Sequence, residues 1–117
     1  MSIKDSIFRE IILEDFQAAK KKPLVVQELI DLCEFDISVS GFQRKFQRTF
    51  GITPGEFLNT ERFKRIVKSI CKEPKATGEK IAYLNDFRTH SDLSVFLKRK
   101  GTSLTEIRRI LHEGDEI

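Results

Sequence analysis

The run SVSGFQRKFQRTFGITPGEFLNTER, from Ser38 to Arg62, decides the fold. Phe42, Phe46 and Phe50 recur at i, i+4 and i+8, which stacks three rings along one face of a helix. Ser40, Gln43, Arg44, Gln47 and Arg48 fall on the other face. An aromatic stripe at this spacing forms a core rather than a base-stacking platform. Ser38 is the expected N-cap, because its hydroxyl can accept from a free N–H of the first turn. Gly51 is the expected stop, because it enters left-handed dihedrals without a Cβ clash. Thr53 then caps a second helix. Pro54 stands at its first position, where a missing N–H costs nothing, and Glu56 in its first turn, where the helix dipole favours a negative charge.

Working outward, Phe63, Ile66, Val67 and Ile70 carry that second helix on until Pro74 ends it soon after Lys72. Its span is on the order of 27 Å at 1.5 Å per residue, comparable with one turn of B-DNA. Upstream, Ile7, Phe8, Ile11, Ile12 and Phe16 predict a first amphipathic helix ending before Lys20 to Pro23, and Val26, Leu29, Ile30 and Cys33 a short second one. Downstream, Ile81 and Leu84 mark a fifth helix. Leu93, Phe96 and Leu97 mark a sixth, and Leu104, Ile107, Ile110 and Leu111 a seventh. No segment alternates as a half-buried strand must. The expected fold is therefore all-α with about seven helices, and the order short helix, turn, basic helix occurs twice.

Composition narrows the function. Hydrophobic residues make up 39% of the 117 and charged residues 33%, a globular chain with a heavily charged exterior. The longest apolar runs fall far short of the roughly 20 residues that cross a bilayer, and the N-terminus does not read as a signal peptide, so no membrane contact and a cytoplasmic location are expected. No catalysis, cofactor or metal is expected. His90 and His112 lack a partner at the His-x-x-x-His spacing that would hold zinc, and the glycines do not gather into a phosphate-cradling loop. Cys33 and Cys71 lie among apolar residues and are expected to be buried, reduced thiols.

Charge is unevenly spread. Residues 1–37 hold 5 basic and 8 acidic residues, a net of −3, whereas residues 38–113 hold 16 basic and 8 acidic, a net of +8; the last four add −2. A basic body behind an acidic first segment suits a phosphate backbone, where Lys and Arg gain affinity by releasing counterions.

The Ser38–Arg62 run strongly resembles the first half of the DNA-binding domain of bacterial AraC/XylS transcription regulators. The residues that carry the resemblance are Ser38, Phe42, Arg44, Phe46, Phe50, Gly51, Thr53, Pro54, Phe57 and Arg62. A weaker resemblance to the family's second motif runs through Ile81, Ala82, Phe87, Ser91, Leu93, Leu97 and Lys98, and from Gly101 to Arg108. The resemblance implies one unit over residues 1–117, homeodomain-like. A first helix-turn-helix subdomain would occupy 5–52, a connecting helix 53–73 and a second, degenerate helix-turn-helix subdomain 74–112. It further implies a sequence-specific regulator that binds double-stranded DNA, each motif laying its second helix in the major groove.

Carried over by position, Ser40, Gln43 and Arg44 would face base edges, Gln and Arg being the types that bond adenine and guanine bidentately. Gln47, Arg48 and the helix start at Thr53 would touch phosphates, as would Thr89, His90, Ser91, Ser94, Lys98 and Arg99 from the second motif. RNA polymerase and an N-terminal sensing or dimerisation domain are the other expected partners, the chain being either a stand-alone member or a piece of a longer regulator. Departures from the pattern fall at four places. Glu34 to Ile37 lengthen the first turn, Asp86 stands where the family has Gly, Val95 stands where many members have Arg, with Asp92 nearby, and the turn after that helix is one residue short, with Ser103 and Leu104 where the family has Thr-Pro. They define the competing expectation: a helical protein-interaction module, or fragment of one, whose second motif no longer reads DNA.

Overall fold

The computed structural model describes residues 4–113. They form seven helices and, among the described residues, no strand: α1 Asp5–Ala18, α2 Val26–Leu32, α3 Val39–Phe50, α4 Pro54–Lys72, α5 Gly78–Leu84, α6 His90–Arg99 and α7 Leu104–Glu113. The chain divides into two compact units, Met1–Glu61 and Arg62–Ile117. The boundary falls inside α4 rather than on either side of it. Phe57 and Leu58 belong to the first core, and Ile66 and Ile70 to the second.

In the first unit the phenylalanine stripe is the core. Phe42 and Phe46 are completely buried and join Phe8, Ile12, Phe16, Leu29, Ile30 and Phe57. The rings form a continuous contact chain, with Phe46 stacked on Phe50 at 4.1 Å between centroids and edge-on to Phe57 at 5.4 Å. Each such ring stabilises by about 1.5–3 kcal/mol through burial, with about 0.5–1.5 kcal/mol more from ring geometry. Ser38 caps α3 by accepting from the Gly41 N–H at 3.1 Å, and Gly51 ends it at φ 78°. Thr53 accepts from the Glu56 N–H at 3.1 Å at the head of α4.

The second unit packs Ile66, Ile70, Ile81, Ala82, Leu93, Leu97 and Ile107, with Phe87, Phe96 and Leu104 half-buried around them. A polar strut crosses it. Arg62 donates to the Asn85 and Asp86 carbonyls at 3.3 and 3.0 Å, while its guanidinium lies 3.7 Å from the centroid of the Phe87 ring. Those carbonyls stand at the end of α5, where no intrahelical donor reaches them. Burial lowers the Arg62 pKa from its ordinary value, against the opposing pull of Asp86. Asn85, the buried polar residue, donates to Ile81 O at 2.8 Å and to Ser69 Oγ at 3.1 Å.

The connections that follow α2 and α5 share one construction. After α2 the N–H of Glu34 bonds to Asp31 O and that of Phe35 to Ile30 O; after α5 the N–H of Asp86 bonds to Tyr83 O and that of Phe87 to Ala82 O. Each is a Schellman stop. Its left-handed residue is Glu34 at φ 55° in the first turn and Asp86 at φ 63° in the second. The extra length of the first turn is used to bring Phe35 back onto the core, stacked on Phe8 at 5.2 Å. A non-glycine residue in this conformation costs roughly 1–2 kcal/mol, against the about 0.5–1 kcal/mol of chain entropy that glycine carries. Glu34→Gly is thus expected to raise stability by about 0.5–1 kcal/mol, read as a higher urea midpoint. A midpoint that fell would mean that the Glu34 side chain contributes more than its backbone costs.

Four apolar residues sit differently from their expected places. Ile7, Leu84 and Ile110 are exposed although their helices were expected to bury them, because each lies at the edge of a stripe that its unit covers only along the middle. Cys33 is buried, and burial pushes its thiol up to about 12, but Cys71 is exposed, on the solvent side of α4; both are free thiols. No helix among the described residues is long and apolar enough to cross a membrane.

Candidate nucleic-acid interface

Because Phe42 and Phe46 point into the core, the opposite side of α3 must face outward, and Ser40, Gln43, Arg44 and Gln47 are all exposed. Positions two, five, six and nine after the cap form one strip at helical spacing. Among the described residues no side-chain hydrogen bond or ion pair engages Gln43, Arg44 or Gln47, so their donors and acceptors face solvent.

Arg48 is different. Its Nε and NH2 donate to the two carboxylate oxygens of Asp5 at 3.2 and 3.1 Å, and Lys45 Nζ lies 3.6 Å from the same carboxylate. The paired guanidinium of Arg48, by hydrogen bond and charge, holds the Asp5 carboxyl below the usual carboxylate range. The pair lies at the surface and is worth little as stability. Its contribution is complete above about pH 3.9, the ordinary carboxylate value, and is lost as pH falls through the depressed one. The first acidic residue of α1 thus occupies a cation expected to meet phosphate. Sequence reasoning did not single out Asp5, and no local pattern could have done so, since the pairing spans 43 residues.

Thr53 serves its helix: besides accepting from the Glu56 N–H, its hydroxyl donates to the Glu56 carboxylate at 3.1 Å. Thr89 likewise accepts from the Asp92 N–H at 3.1 Å as the cap of α6. Beyond that cap His90, Ser91, Ser94, Lys98 and Arg99 are exposed along the helix, together with Asp92 and Val95. His90 Nδ1 stands 4.0 Å from a Glu79 carboxylate oxygen. Arg62, matched in the sequence as part of the motif, faces inward as the strut described above. Among the described residues no group of three His, Cys, Asp or Glu side chains could hold a metal. What the two strips offer is direct: on α3 an amide and a guanidinium, the groups that pair with purine edges, and on α6 small hydroxyls, one apolar side chain and a basic end. No family model, no curated protein and no solved structure matches the chain.

Proposed function

We propose that this chain is a sequence-specific DNA-binding transcription regulator of the AraC/XylS type, non-enzymatic and cytoplasmic, which reads the major groove mainly with α3. The observation that carries the reading is the α3 strip. Gln43 and Arg44 are exposed without intramolecular partners on a helix whose other face is locked by completely buried Phe42 and Phe46. A helix so anchored offers its polar groups at little further entropic cost, which favours specific binding. Selection of bound duplexes from a random library, read by sequencing, tests it. A consensus should emerge, and equal recovery of all sequences would reject base reading.

Asp5 adds a quantitative expectation. Phosphate binding at Arg48 must displace the Asp5 carboxylate, so Asp5→Asn should tighten binding to every duplex and steepen the salt dependence by about one unit of log–log slope. Titrations of wild type and variant from low to moderate salt check this. Identical slopes would show that Arg48 stays with its own chain when DNA binds.

A second reading is favoured by Tyr83 and Leu84, neighbours on α5 that are 79% and 45% exposed. In that reading the second unit docks on a protein such as RNA polymerase. Tyr83→Ser with Leu84→Ser would then abolish a regulatory effect on transcription while leaving duplex affinity intact.

A further inference from the structure

In the second unit the last turns of α4 and α7 flank a cavity of about 220 Å³, lined by Ile70, Cys71, Pro74, Arg108, Leu111 and His112. It is smaller than the roughly 300–1,000 Å³ of drug-sized pockets, and so suits a small ligand. Ile70 is buried and Leu111 half-buried, and both belong to the core of the unit, so the inner walls are apolar. Cys71, Pro74 and His112 are exposed and make the rim.

One wall carries charge. Arg108 is half-buried on α7, and its NH2 donates to the Ala76 carbonyl, which tethers the guanidinium. Its Nε is completely buried and meets no acceptor among the described residues. A charged donor left unpaired away from water costs free energy, and an acceptor held in the cavity would recover it. Among the described side chains that line the cavity none is a carboxylate, so the charge of Arg108 is unmatched there.

The chemistry of the complement follows. A single tethered guanidinium calls for a single negative charge in a planar accepting group, which is a carboxylate. A phosphate dianion would bring a second charge with no cation to meet it. The walls of Ile70, Pro74 and Leu111 call for a short branched aliphatic body, removed from water on binding.

We infer that the cavity between α4 and α7 binds a small aliphatic monocarboxylate, with its carboxylate on Arg108 and its body against Ile70, Pro74 and Leu111. The site goes beyond the DNA-binding reading, which uses none of these residues, and does not depend on it.

The full chain carries its own reporter. Cys71 is exposed at the cavity, whereas Cys33 is buried with its thiol pushed up to about 12, so the rate of labelling by the neutral reagent iodoacetamide reads Cys71. Isovalerate should slow this labelling in a saturable way. Acetate, which lacks the apolar body, and inorganic phosphate should leave it unchanged. Isovaleramide, the neutral isostere, should require a concentration roughly 10- to 100-fold higher, the weight of a hydrogen bond to a charged group. Arg108→Gln, which keeps a donor for the Ala76 carbonyl, should weaken protection by a similar factor. Cys71→Phe sets a ring in the cavity mouth at an exposed position that tolerates it. Isovalerate should raise the melting temperature of wild type by mass action and leave that of Cys71→Phe unmoved. No protection by isovalerate, equal protection by isovaleramide or phosphate, or protection unchanged in Arg108→Gln would overturn the inference. If Arg108→Gln does not fold, Cys71→Phe decides, and a melting shift as large as in wild type would overturn it.

Discussion

Phe46→Ala is expected to destabilise the first unit by about 3–5 kcal/mol, the largest effect of any single change considered for this chain. Phe46 is completely buried and touches Phe42, Phe50 and Phe57, so removing it deletes one ring and strips three others of a neighbour. The cavity would lie directly beneath the α3 strip. Domains of this size have about 5–15 kcal/mol of stability in all, so the variant should unfold at much lower urea, and its DNA affinity should fall because the helix is no longer held. Urea denaturation followed by circular dichroism measures this. A loss under about 1 kcal/mol would mean that the core closes over the gap and that α3 does not depend on its aromatic backing.

Arg44→Ala is expected to lose roughly 1–3 kcal/mol on the preferred duplex and to relax a single base position, leaving stability unchanged. Arg44 is exposed and takes no part in capping or packing, so the loss would come from the DNA contact itself. Competition against duplexes altered at one position at a time distinguishes base reading from charge. A guanine contact gives discrimination that disappears in the variant, whereas a phosphate contact gives an equal loss on every sequence. The second outcome would move Arg44 from reader to anchor. Arg48 is the internal control: already bonded to Asp5, it should change affinity for all duplexes alike.

Local signals were legible wherever they act within one helix. The caps at Ser38 and Thr53, the stop at Gly51 and the buried faces at Phe42, Phe46, Ile66 and Ile70 are consequences of hydrogen bonds and periodicity over a few residues, and they stand where the sequence placed them. The exposed strip of α3 was legible for the same reason, being what is left when the aromatic face is buried. Phe35 was not, since it lies outside any helical stripe and reaches the core only because Glu34 turns the chain left-handed.

The sequence by itself determined the helical class, most element ends and which side of α3 meets solvent, because neighbouring residues three and four apart share a face whatever the rest of the chain does. Only tertiary structure decided the capture of Arg48 by Asp5, the seating of Arg62 on Phe87, and the division of cores within α4. It also decided the exposure of Cys71, Ile7, Leu84 and Ile110. Each of these depends on which distant surface arrives to cover or pair a group, and periodicity along a single helix carries no information about that arrival.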